Sequence, residues 1–135
     1  MLKKNLIVLA LSAIFPTVTL AVEERQCDGR QMYNYVDVAI KAGSGVVNVA
    51  NDPSYGAGSV THALRSKNME IYNAMSVSIR EHDLYLARSG CKSLNGGPTK
   101  GMMSTLRQVD AKIGGLINRQ YKQKGVLTDG FGSAR

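Results

Sequence analysis

The sequence predicts an all-α fold, a small antiparallel three-helix bundle with one disulfide, and three observations lead there. Apolar residues recur every three or four positions in three segments, the spacing of one face of a helix. No stretch alternates with period two for long enough to make a strand. The only two cysteines, Cys27 and Cys91, stand at the start of the first segment and the end of the second, and up-down packing brings those ends side by side.

The domain is expected to span residues 22–125. Residues 1–21 carry Lys3 and Lys4, an apolar run from Leu6 to Phe15, then Pro16 and the ending Thr19-Leu20-Ala21. A basic start, a short apolar core and a small residue at the cut describe a secretory signal peptide, with cleavage expected after Ala21. The stretch from Leu6 to Val22 is 17 residues and is broken by Pro16, Thr17 and Thr19. A membrane span needs about 20, so the cleaved chain is not expected to span a membrane. Glu24-Arg25-Gln26 before Cys27 does not suit lipoprotein processing. The chain is therefore expected to be periplasmic or secreted, where two cysteines 64 positions apart pair as a structural disulfide.

Helix one starts after Asp28. Its apolar positions Met32, Val36, Ala39, Gly43, Val46 and Ala50 follow the helical period, and Tyr33, Ile40 and Val47 widen the face. The register continues through Gly43-Ser44-Gly45, so this is one helix with a weak middle or two helices meeting there, which would make four in all. Each interior glycine costs about 1 kcal/mol relative to alanine. Asn51-Asp52-Pro53 ends the segment. After a loop, Ser59 can cap helix two, which runs to Ser89 with Gly90 as its stop. Its inward face reads Leu64, Asn68, Ile71, Tyr72, Met75, Ile79, His82 and Leu86. Helix three follows Gly96-Gly97-Pro98, with Pro98 in the first turn. It presents Met102, Leu106, Val109, Ile113 and Leu116 as a seam and ends near Lys124-Gly125. Residues 126–135, which include Gly130 and Gly132, are expected to form a flexible C-terminal tail.

At 135 residues the chain is too short for a TIM barrel or a complete Rossmann enzyme. Conventional catalytic patterns are also missing. His62 and His82, the only histidines, would lie about 30 Å apart on one helix and on different faces. His82 stands in the apolar face, where a hydrogen-bonded core histidine is expected rather than a pH sensor. There is no H-E-x-x-H and no set of zinc ligands. Glu70 and Glu81 are three helical turns apart, about 16 Å, too far for a glycosidase pair. Tyr55-Gly56-Ala57-Gly58-Ser59 lacks the strand and the Lys-Ser/Thr pair of a phosphate loop, and reads as a connector. Ser44 has no nucleophile-elbow setting. No catalytic, cofactor-binding or metal-ligating residue is expected.

The charge is unevenly placed. The whole chain carries +7, yet residues 22–87 hold six cations and eight carboxylates, whereas residues 88–135 hold nine and two. On a helical wheel Lys112, Arg119 and Lys122 fall within about 80°, turned away from the Met102–Leu116 seam. Such a face is a solvated surface or a docking surface for an anionic partner. Tyr121 is the one aromatic residue of helix three as bounded above that could stack on bases, so no dedicated nucleic-acid site is expected. Gly114-Gly115 in mid-helix is expected to persist because a neighbouring helix of the bundle packs against it. An outward-facing pair would point to a partner instead.

Together these features lead to an expected non-enzymatic accessory or adaptor protein, acting by protein–protein binding in an envelope assembly. The partner would be an envelope protein or another anionic species, and the oligomeric state is left open. The architecture of a small exported helical bundle with one disulfide, though no motif, is similar to that of accessory components of conjugation and type IV secretion systems. It is similar in the same way to periplasmic immunity proteins, which gives the alternative: an inhibitor blocking a toxin or a cell-wall hydrolase.

Overall fold

The computed structural model describes residues 25–132, with side chains as far as Gln123; the expected signal peptide lies outside the described residues. The chain is mostly helical. In order it forms strand β1 (Gln26–Asp28), helix α1 (Arg30–Ala50), two turns of 3₁₀ type (Pro53–Gly58) and the short helix α2 (Ser59–Leu64). Helix α3 (Lys67–Arg88), strand β2 (Ser93–Asn95) and helix α4 (Lys100–Gly132) follow.

Helix α1 begins where the Asp28 carboxylate accepts the Arg30 backbone N–H at 3.0 Å and the Arg30 guanidinium folds back onto the same carboxylate. That guanidinium holds the Asp28 carboxyl down at about 2. The helix is continuous through Gly43-Ser44-Gly45, and all six expected core positions are buried, together with Ala42. Gly43 stays because core side chains occupy the space its own would need. A Cβ there would collide with the Val109 side chain and lie 3.0 Å from the Tyr72 ring and 3.2 Å from Ile113. Gly45 lies against the end of the exposed Asn68 side chain.

The expected second helix is divided. Ser66 is extended, its hydroxyl donates to the Ala63 carbonyl at 2.6 Å, and it accepts the Met69 N–H at 3.3 Å. One serine thus closes α2 and caps α3, a side-chain bond competing with the helical ladder and ending it. Ser59 does not cap a helix; it is the first residue of α2, and its hydroxyl donates to the Ala50 carbonyl at 2.8 Å, tying α2 to the end of α1. Helix α3 stops as expected at Gly90, whose φ of 75° closes the end while Cys91 N–H bonds back to Leu86. At α4, Thr99 Oγ1 accepts the Met102 N–H at 3.1 Å, so Pro98 precedes the cap rather than occupying the first turn. The helical backbone of α4 continues past Gly125 to Gly132.

The fold is not purely helical. β1 and β2 pair in parallel, Cys27 opposite Leu94, and the Cys27–Cys91 disulfide lies beside them with a Cα separation of 5.7 Å. Lys92 N–H to the Arg25 carbonyl and Gly29 N–H to the Asn95 carbonyl extend the pairing at both ends. Three residues per strand are too few to show a period of two in the sequence.

Two apolar clusters fill the interior. One joins Met32, Val36 and Ala39 of α1 with Leu86 of α3 and Leu106 of α4. The other joins Ala42, Val46 and Ala50 with Val60 and Ala63 of α2, Met69 and Tyr72 of α3, and Val109, Ile113 and Leu116 of α4. Helix α1 packs against all three other helices, whereas α3 and α4 approach each other at few points. Where they do, the buried Tyr72 hydroxyl donates to the Asp110 carboxylate.

Two stability predictions come from this packing. Gly43→Ala should lower stability by about 1–3 kcal/mol despite the gain in helix propensity, because the core must be overpacked; chemical denaturation measures this directly. The Tyr72 phenol is pushed up to about 12, first by burial and then by its hydrogen bond to the Asp110 carboxylate. Its free tyrosine counterpart ionises near pH 10, so its contribution is complete below pH 10 and disappears as the pH rises towards about 12. Tyr72→Phe should accordingly lose less stability over that interval than the wild type in parallel denaturant titrations.

Candidate functional site

Helix α4 turns Leu106, Val109, Ile113 and Leu116 into the core. That orientation fixes what the other side shows. Lys112, Arg119 and Lys122 are all exposed, and Lys112 and Arg119 face one groove between α4 and the end of α1, lined also by Val47, Asn51, Gly115 and Leu116. Lys122 lies about 60° around the helix from Arg119 and does not line the groove. Two further exposed cations, Lys100 and Arg107, belong to the same outward arc. The helical period, carried back from Lys122, places these five within about 140° and along about 33 Å, so the arc extends beyond the three cations of the last turns.

No carboxylate forms an ion pair with this arc among the described residues. Asp110, the one acidic side chain described on α4, accepts a hydrogen bond from Tyr72 instead. The three ion pairs of the described region are Arg30–Asp28, Lys41–Asp37 and Lys67–Glu70, none of them on α4.

Gly114 and Gly115 face outward. A Cβ at either position would meet nothing within 4 Å, so the expectation that a helix of the bundle packs on them is corrected. The reason is the register: Ile113 and Leu116, on either side of the pair, occupy the core, which leaves both glycines exposed. Beyond them Ile117 and Tyr121 are also exposed, at 45% and 78%.

The histidines lie on separate helices. His62 of α2 is exposed and stacks on Tyr55 at 4.5 Å between ring centroids. His82 of α3 is partly buried between Tyr35, edge-on at 5.9 Å, and Tyr85, stacked at 5.7 Å. Its Nε2 is buried without a hydrogen-bond partner, so the expected hydrogen-bonded core histidine is corrected to one held by aromatic contact. A polar cleft beside the disulfide adjoins it, bordered by Arg25, Gln26, Asp28 and Gln31. Among the described residues no three of His, Cys, Asp and Glu gather as metal ligands, and no helix is long and apolar enough to cross a membrane.

Comparison with protein-family models, with curated proteins and with solved structures gives no significant match. The reading of the site therefore stands on its geometry.

Because nothing crowds either glycine, Gly114→Ala should raise stability by about 1 kcal/mol through helix propensity. A rise in the thermal midpoint checks this, and a fall would mean that the position is packed.

Proposed function

We propose that the protein is an exported, non-enzymatic accessory or adaptor that binds an anionic partner protein of the cell envelope through the outward face of α4. In this reading residues 1–21 are a cleaved signal peptide, and the three long helices form an up-down-up bundle that serves as a rigid mount. The observation that carries the proposal is the outward Gly115 set among Lys112, Arg119 and Lys122, with Gly114 also outward about 100° around the helix. Two exposed glycines weaken a helix by about 2 kcal/mol relative to alanine, and nothing within the fold offsets that. A partner packed on them would, and the unbalanced cations would steer and orient it.

The test is affinity capture from envelope extracts with the tagged chain and with a Lys112→Glu, Arg119→Glu, Lys122→Glu variant. Exposed substitutions of this kind usually change stability by no more than about 0.5 kcal/mol each, so the variant should keep its circular dichroism and cooperative melting. Capture of an assembly component by the wild type and its loss in the variant are the expected outcome. Recovery of a single soluble toxin or hydrolase would favour the inhibitor reading, and equal capture by both chains would overturn the role of the basic face.

A further inference from the structure

We infer that the groove between the end of α1 and α4 seats one acidic amphipathic helix of a different protein, with an apolar side chain over Gly115 and a carboxylate on each of Lys112 and Arg119. The inference rests on the reading of α4 as the binding face and names the chemistry of its partner.

The spacing is that of helix-on-helix packing. Gly115 lies three residues after Lys112 and four before Arg119, so the two cations are one heptad, about 10.5 Å, apart along the axis with an empty position between them. A facing helix repeats with the same step, so carboxylates seven residues apart reach both cations while the residue midway enters the gap. The floor at that gap is apolar, made by Leu116 of the core and the partly buried Val47 of α1. Two helices form the groove, which is the shape that receives a third.

The same features favour a protein helix over other anions. A single strand of nucleic acid needs aromatic platforms, and no aromatic residue lines the groove. A membrane surface needs the apolar residues beside the cations to insert together. Ile117 instead projects on the opposite side of α4 from Lys112, about 140° away. A second copy of this chain does not fit either, since no two of its carboxylates are seven or eight residues apart.

The experiment uses the purified chain and a designed helical peptide of about 20 residues, long enough to hold a helix, with two glutamates seven apart and a leucine midway. Its control is a scrambled peptide of identical composition. Single-stranded oligonucleotide and phosphatidylglycerol vesicles are titrated alongside. The designed peptide should bind at least about tenfold more tightly than the scramble, and Gly115→Leu, which fills the seat, should weaken it about tenfold without lowering the thermal midpoint. Lys112→Glu with Arg119→Glu should remove the preference. Equal binding of the two peptides, indifference to Gly115→Leu, or tighter binding of oligonucleotide or vesicles would overturn the seat. If the charge-reversal variant still loses its envelope partner in that case, the basic face stands while the groove does not.

Discussion

Helix α1 touches every other helix of this fold, and Gly43 is what lets two of them converge on it. At that level Tyr72 of α3 and Val109 and Ile113 of α4 meet a helix surface with no side chain. The sequence places a poor helix former where core side chains leave no room for a Cβ, and their close packing offsets the lost propensity. Around that point the larger cluster assembles, and the Ser59–Ala50 and Tyr72–Asp110 bonds tie α2 to α1 and α4 to α3 at its margins. The opposite end needs a different device. There the interior is smaller and sulfur-rich, with Met32, Met75, Met102 and Met103, and the disulfide beside the parallel strand pair closes it.

Much of this was readable from residue spacing. The face of α1 was legible because six of its seven buried residues lie on one unbroken four-three period, and the seam of α4 because Leu106, Val109, Ile113 and Leu116 follow the helical period. The disulfide followed from a count of two cysteines. What escaped notice depends on single side-chain bonds or on very short segments. The break at Ser66 is made by one hydroxyl bonding in two directions, which no apolar period records. Once it shifts the register, Met69 becomes buried while Asn68 is left at the surface against Gly45. The strand pair joins segments more than 60 residues apart beside the disulfide, a tertiary relation absent from local sequence.

The candidate surface was legible in its charge and not in its shape. Lys112, Arg119 and Lys122 could be placed on one side of a helix from the wheel alone, because the apolar seam fixes which side is inward. The outward setting of Gly114 and Gly115 follows from the seam, since Ile113 and Leu116 take the core on either side; the expectation of a helix packed on the pair gave that register too little weight. Likewise the groove exists only because the last turns of α1 run beside α4, a relation between segments more than 60 residues apart.

The covalent loop closed by Cys27 and Cys91 has a further consequence for how the molecule opens. It encloses α1, α2 and α3, and it leaves α4 outside. Opening that removes α4 alone therefore breaks no constraint within the loop and needs no rupture of the cross-link. Local fluctuations of this kind divide a protein into units that open separately, and here the candidate groove has one wall in the covalent loop and the other on α4. Helix α4 is held by packing and the Tyr72–Asp110 hydrogen bond, without a covalent tie, so a partner seated on both α1 and α4 would act as the clamp that the disulfide does not supply.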